Sequence, residues 1–212
     1  MDTRLSPKVG GLSAALAFVI CAWLTPIQTY VWNRDESPTM ILEAKDLLKT
    51  YDVIYDRLTP SGMPRYYFFG RMFFVIYALA APCPFALRRA RVIPFTRTGS
   101  IGYAMVFGGF VIGCIGDVGA YWGGHDTQTL TTLQGIGFGI ETLAILAVGI
   151  GSILVARGAR VSWWKRGLLY LTLPAAIGGG IVTGYIPHGL LLAVTLIWAL
   201  VALLPWRSME RR

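Results

Sequence analysis

Apolar residues run along this chain in long, nearly uninterrupted stretches, without the strict alternation of a half-buried strand. Six of them are long enough to cross a hydrocarbon core about 30 Å thick, which takes roughly 18 residues or more. They cover residues 10–32, 66–87, 101–122, 131–156, 167–184 and 189–206. In lipid every backbone N–H and C=O must be satisfied within its own segment, so each stretch predicts an α-helix. The expected architecture is an all-α, polytopic membrane helix bundle, one transmembrane domain over residues 1–212.

One segment follows a different rule. Residues 33–65 contain "TMILEAKDLLKTYDVIYDRL", in which Ile41, Ala44, Leu48, Tyr51, Tyr55 and Leu58 recur at spacings of three and four. That spacing lines one face of a helix over about residues 39–58. Ser37 and Pro38 suit its start, and Pro60 and Gly62 its stop. Lys45, Asp46, Lys49, Asp52 and Asp56 fall largely on the opposite face, so the helix is expected to lie flat in the headgroup zone or to dock a membrane protein partner.

Composition agrees with the pattern. At 55% hydrophobic and 14% charged residues, the chain holds more apolar surface than a soluble domain of 212 residues can hide. The first stretch could be taken for a secretory signal, but it is long, ends in aromatics and lacks a small-residue cleavage site, so it reads as a retained helix.

Charge then orients the spans. Arg4, Lys8, Arg88, Arg89, Arg91, Arg97, Arg157, Arg160, Lys165, Arg166, Arg207, Arg211 and Arg212 fall on one side, against only Asp2 and Glu210. The other side carries five cations and seven acids, most of them in residues 33–65. Positive residues are retained in the cytoplasm, so both termini are expected there and the amphipathic segment outside. The net charge of +8 is therefore a topology signal spread over short segments, and nucleic acid is not an expected partner. Aromatics mark the span ends: Tyr30, Trp32, Tyr66, Tyr67, Tyr121 and Trp122 outside, Trp163, Trp164 and Trp206 inside.

Two further patterns bear on packing. Gly109 with Gly113, and Gly135 with Gly139, form GxxxG pairs on the third and fourth spans, which predicts close approach of that antiparallel hairpin. The fifth span holds Pro174 and then Gly178–Gly180, which predicts a kink or break in its outer half.

Three ionisable residues lie inside the spans: Arg71, Asp117 and Glu141. A bare charge at that depth costs at least ~2.5 kcal/mol, so each is a candidate for function. Arg71 and Asp117 are each five residues from the outer end of their span, a shared depth of roughly 8 Å that permits an ion pair. Glu141 lies near the bilayer middle with no counter-charge at its level, where desolvation favours the neutral acid able to donate a proton. Tyr121 follows Asp117 by four residues on the same face, and His125 and His188 lie in the outer connections. The expected site is an outward-facing polar pocket with Glu141 and Asp117 as acid–base residues and Arg71, Tyr121 and His188 as ligand contacts.

Other chemistries find little support. Cys21, Cys83 and Cys114 lie in apolar spans with no CxxC spacing. Haem would need histidines projecting inward from helices, and both histidines fall at connections. A zinc site from His125, His188 and Asp117 matches no ligand spacing. Neither a Walker loop, GxGxxG nor a nucleophile elbow is present. No metal and no cofactor is thus expected. The sequence points to a multi-pass protein of the cell membrane that binds a lipid-like small molecule among the membrane lipids, with acid–base catalysis on a lipid or isoprenoid substrate as the expected chemistry. A small proton-coupled transporter and a non-catalytic membrane subunit are the alternatives.

Overall fold

A computed structural model describes residues 6–32, 57–122 and 132–204. The described residues form helices α1 (Pro7–Trp32), α2 (Arg65–Gly70), α3 (Phe73–Ala80), α4 (Pro82–Arg89), α5 (Arg97–Tyr121), α6 (Thr132–Gly158), α7 (Trp163–Thr183) and α8 (His188–Leu203), with no strand among them. Helices α1, α5, α6 and α7, and α2 to α4 taken together, are long and apolar enough to cross a membrane. The amphipathic segment lies outside the described residues except at its end, where Arg57 and Leu58 are helical.

The second span is three helices, not one. Its backbone stays helical through Arg71–Met72 and Ala81, but the ladder is interrupted at each. Pro82 and Pro84 lack the N–H groups that would reach Ala78 and Ala80, which accounts for the second interruption. The fifth span departs from expectation in the opposite direction. Helix α7 runs unbroken through Pro174 and all three glycines, and ends at Gly184 with φ 61°. The glycines serve contact instead of unwinding: a Cβ on Gly179 would lie 2.5 Å from the Gly189 carbonyl, and one on Gly180 3.1 Å from Leu190. They let α8 approach, and the helix keeps its hydrogen bonds.

The spans run up and down in a closed circuit. Helix α5 packs on α6, α6 on α7, α7 on α8, α8 on α1, and α1 on α3 and α4, while α3 returns to α5. The α5–α6 seam is the closest, and of the four GxxxG glycines Gly109 alone lies on it. Gly135 and Gly139 have open space where a Cβ would be, and Gly113 faces Tyr77 of α3. The seam is built on a seven-residue spacing instead: Gly102 meets Gly151, Gly109 meets Ala144 and Val148, and Gly116 meets Gly137. Seven residues is two turns, so small residues return to the same face and the backbones come together along the whole seam.

Helix α8 is apolar and heavily buried, but shorter than the five elements long enough to cross a membrane. It has 16 residues, about 24 Å at helical rise, and both its polar start and most of its apolar sides are buried. It is short because it starts inside the bundle: Tyr185 and His188 are both shut off from the exterior. Irregular backbone at such depth is tolerated where protein covers it. Trp198 of α8 donates through Nε1 to Ser152 Oγ of α6 at 3.1 Å, which fixes the far end of the helix.

Candidate functional site

Three helices bring ionisable side chains to one place. Asp117 comes from α5, one turn before its end, Glu141 from α6 and His188 from the first position of α8. All three are fully buried, and one ligating atom from each lies within 4.8 Å of the others. His188 Nε2 is 3.4 Å from Glu141 Oε1. Both carboxylates and both ring nitrogens lack a hydrogen-bond partner among the described residues, as does the buried hydroxyl of Tyr77. Seven polar atoms without a hydrogen bond in one place are an exception to the rule that buried polar groups are paired.

Glycines make room for this cluster. A Cβ on Gly116 would lie 2.7 Å from Glu141 Cγ, so Glu141 crosses the α5–α6 seam only because that position is bare. A Cβ on Gly113 would run into the Tyr77 ring, and one on Gly70 into the Tyr121 ring. His188 is held as a plate: its ring stacks on Phe73 with centroids 3.5 Å apart and planes 6° from parallel. Tyr121 and Tyr185 contact the same imidazole at 5.5 and 5.2 Å.

A layer of tyrosines covers the cluster. The Tyr121 and Tyr185 hydroxyls hydrogen-bond each other, and Tyr185 donates to the Tyr66 hydroxyl at 3.5 Å. Gln28 of α1 donates through Nε2 to the Tyr66 carbonyl at 2.9 Å and to the Tyr185 hydroxyl at 3.4 Å. Gln134 of α6 donates to the Tyr67 hydroxyl. On the outer side of this layer is an open cavity of about 420 Å³, lined by Tyr66, Phe138, Gly139, Thr142, Leu143, Tyr185 and Ile186. Leu143 is 68% and Ile186 57% exposed, so the cavity opens through the flank of the bundle.

Of the residues singled out in the sequence, Asp117, Glu141, His188 and Tyr121 come together, but in a closed centre instead of an open pocket. Arg71 is elsewhere. Its Nε donates to the Tyr121 carbonyl at 3.0 Å and its guanidinium lies 4.9 Å from the Trp122 ring centroid. The expected Arg71–Asp117 pair is not formed, since neither Asp117 oxygen has a hydrogen-bond partner among the described residues. The helix register explains this. Gly70 against Tyr121 and Gly113 against Tyr77 put Asp117 level with Phe73, deeper than Arg71. Tyr66 and Tyr121, expected as interfacial belt residues, are instead parts of the covering layer, whereas Trp122 and Trp163 are exposed as belt residues should be. His125 lies outside the described residues.

Tyr77, Tyr185 and Gln28 carry no charge or motif that marks them in the sequence. Polar side chains within or beside apolar spans were the signal available for them. No protein-family model matches this chain, and no curated protein or solved structure matches it.

Proposed function

We propose that this chain is a multi-pass cell-membrane protein that takes an amphiphilic, lipid-like molecule into the flank cavity and directs its polar end toward the Asp117–Glu141–His188 centre. The observation that carries this reading is the adjacency of the two: Tyr66 and Tyr185 line the cavity, and Tyr185 also touches His188. A volume of 420 Å³ fits a small ligand or one segment of a lipid. The tyrosine hydroxyls suit a hydroxyl, carbonyl or phosphoryl head, and the apolar lining suits a hydrocarbon tail.

The centre supports acid–base work on such a head. Glu141 gives up a proton, Asp117 accepts one or stabilises a developing cation, and His188 carries the proton between them. Positive residues gather at the helix ends near Lys8, Arg89, Arg97, Arg157 and Arg166. They support cytoplasmic termini, which puts the centre in the outer half of the membrane. The segment 33–65 then lies outside as a lipid- or protein-facing strap, and nucleic acid is no partner. The transporter alternative loses the broken helix on which it leaned, because α7 is continuous. A non-catalytic subunit gives no reason to bury three unpartnered ionisable groups.

The test is lipid mass spectrometry on the purified full-length protein and its Gly139→Leu variant. Gly139 lines the cavity and has open space around its missing Cβ, so leucine fills the cavity without clashing with the core. A specific amphiphile should co-purify with the wild type and be lost from a folded Gly139→Leu variant. Identical lipid profiles in the two would end the reading.

A further inference from the structure

We propose that Asp117, Glu141 and His188 hold a divalent transition-metal ion, with zinc as the ion the donor set fits best. The inference rests on the cavity and site of the reading above and replaces its proton-transfer roles: as ligands Asp117 and Glu141 would be ionised, and the ion's open position would meet a ligand's polar end.

Three observations lead to it. The first is the donor set: two carboxylates and one imidazole are the nitrogen and oxygen ligands of catalytic metal sites, in which three protein groups leave a further position open. The second is geometry. The 3.4 Å between His188 Nε2 and Glu141 Oε1 is the edge of a tetrahedron with bonds of about 2.1 Å. An Asp117 oxygen lies within 4.8 Å of the other two donors and supplies the third ligand. The third is the unsatisfied state of all the donor atoms. His188 is not an acid among acids: it is fully buried, directed at Glu141, and neither nitrogen is otherwise engaged among the described residues.

Charge balance favours a dication over other occupants. Two ionised carboxylates and a neutral imidazole carry −2, so a +2 ion makes the centre neutral, as an apolar membrane interior requires. A water molecule would satisfy a few of these atoms but would leave the charge, or force both acids to stay protonated. The surroundings also suit a metal ligand. Phe73 fixes the imidazole plane, and Gly116 fixes how far Glu141 reaches across the α5–α6 seam. Tyr77 brings a further buried hydroxyl beside Glu141.

The experiment measures metal content by mass spectrometry in the full-length protein, purified in detergent without chelators or an affinity metal. The wild type should carry close to one zinc or other first-row divalent ion per chain. Asp117→Asn, Glu141→Gln and His188→Asn should each lower that content at least tenfold. Because these variants could fail to fold, the wild type is also unfolded thermally before and after strong chelation and after return of zinc. Loss of the ion should lower Tm by on the order of 5–10 °C, and zinc should restore it. A wild type with less than a tenth of an ion per chain and a Tm indifferent to chelator and to zinc, manganese, iron and cobalt overturns the proposal. So does full metal content in the folded Asp117→Asn, Glu141→Gln and His188→Asn variants. A metal-bearing protein with no specific amphiphile would sink only the ligand reading, and a metal-free protein with its amphiphile only the metal.

Discussion

Gly116 and Glu141 occupy the same space. The bare Cα of the one accommodates the side chain of the other, which crosses from α6 past α5 with no clearance for a methyl group. The placement of this buried acid therefore depends on a residue with no side chain. Gly116→Val should lower stability by about 1–3 kcal/mol through overpacking, seen as a fall in Tm in detergent. Gly135→Ala and Gly139→Ala should cost nothing or stabilise slightly, because both positions are open and alanine is the better helix former. If Gly135→Ala proved as damaging as Gly116→Val, the seven-residue seam would be the wrong description of this interface.

Glu141→Leu separates stability from function. In chelated protein, leucine replaces an unsatisfied buried carboxyl with an apolar group of similar size, so Tm should rise, by about 1–3 kcal/mol of stability. The same variant should lose whatever the centre binds. A marked fall in Tm would mean that Glu141 has a structural partner that this arrangement lacks.

Phe73 sets the plane of His188. Phe73→Leu removes a stack that contributes about 0.5–1.5 kcal/mol beyond burial and frees the ring to turn. Thermal unfolding should report the loss, and the imidazole signals of His188 should broaden in NMR spectra of labelled protein. An unchanged histidine spectrum would show that Tyr121 and Tyr185 hold the ring without help.

Arg71→Gln tests where the boundary of the site runs. The variant loses the bond to the Tyr121 carbonyl and the contact with Trp122, a modest cost of about 1 kcal/mol. It should leave metal content and bound amphiphile unchanged. Loss of the amphiphile from a folded variant would restore Arg71 to the role of anion clamp suggested by its charge.

The spans were legible because their signal is local. Residues 101–122 and 131–156 anticipated α5 at Arg97–Tyr121 and α6 at Thr132–Gly158 to within a few residues. Asp117 and Glu141 were legible as well, since an acid in an apolar run stands out wherever it points. What was hidden depends on rotation about the helix axis and on register between helices. Depth alone made Arg71 and Asp117 look level; the register against Tyr77 and Tyr121 separates them. Pro174 and the three glycines of α7 looked like a break because local propensity was the only guide, whereas close packing against α8 uses Gly179 and Gly180 within an intact helix. The seven-residue spacing of Gly102, Gly109 and Gly116 was present in the sequence but obscured by the more familiar GxxxG. His188 was named as a ligand contact in an outer connection, but its burial at the start of α8 was hidden, because a helix that starts inside the bundle looks in sequence like one that starts at its surface.

Two of the cavity's lining residues, Leu143 and Ile186, are apolar and exposed on the flank of the bundle. A molecule that uses this route arrives as a solute of the bilayer, not of water. Its binding constant is then a mole fraction in lipid, and diluting the buffer at fixed protein-to-detergent ratio would leave occupancy unchanged while adding empty micelles would strip the site.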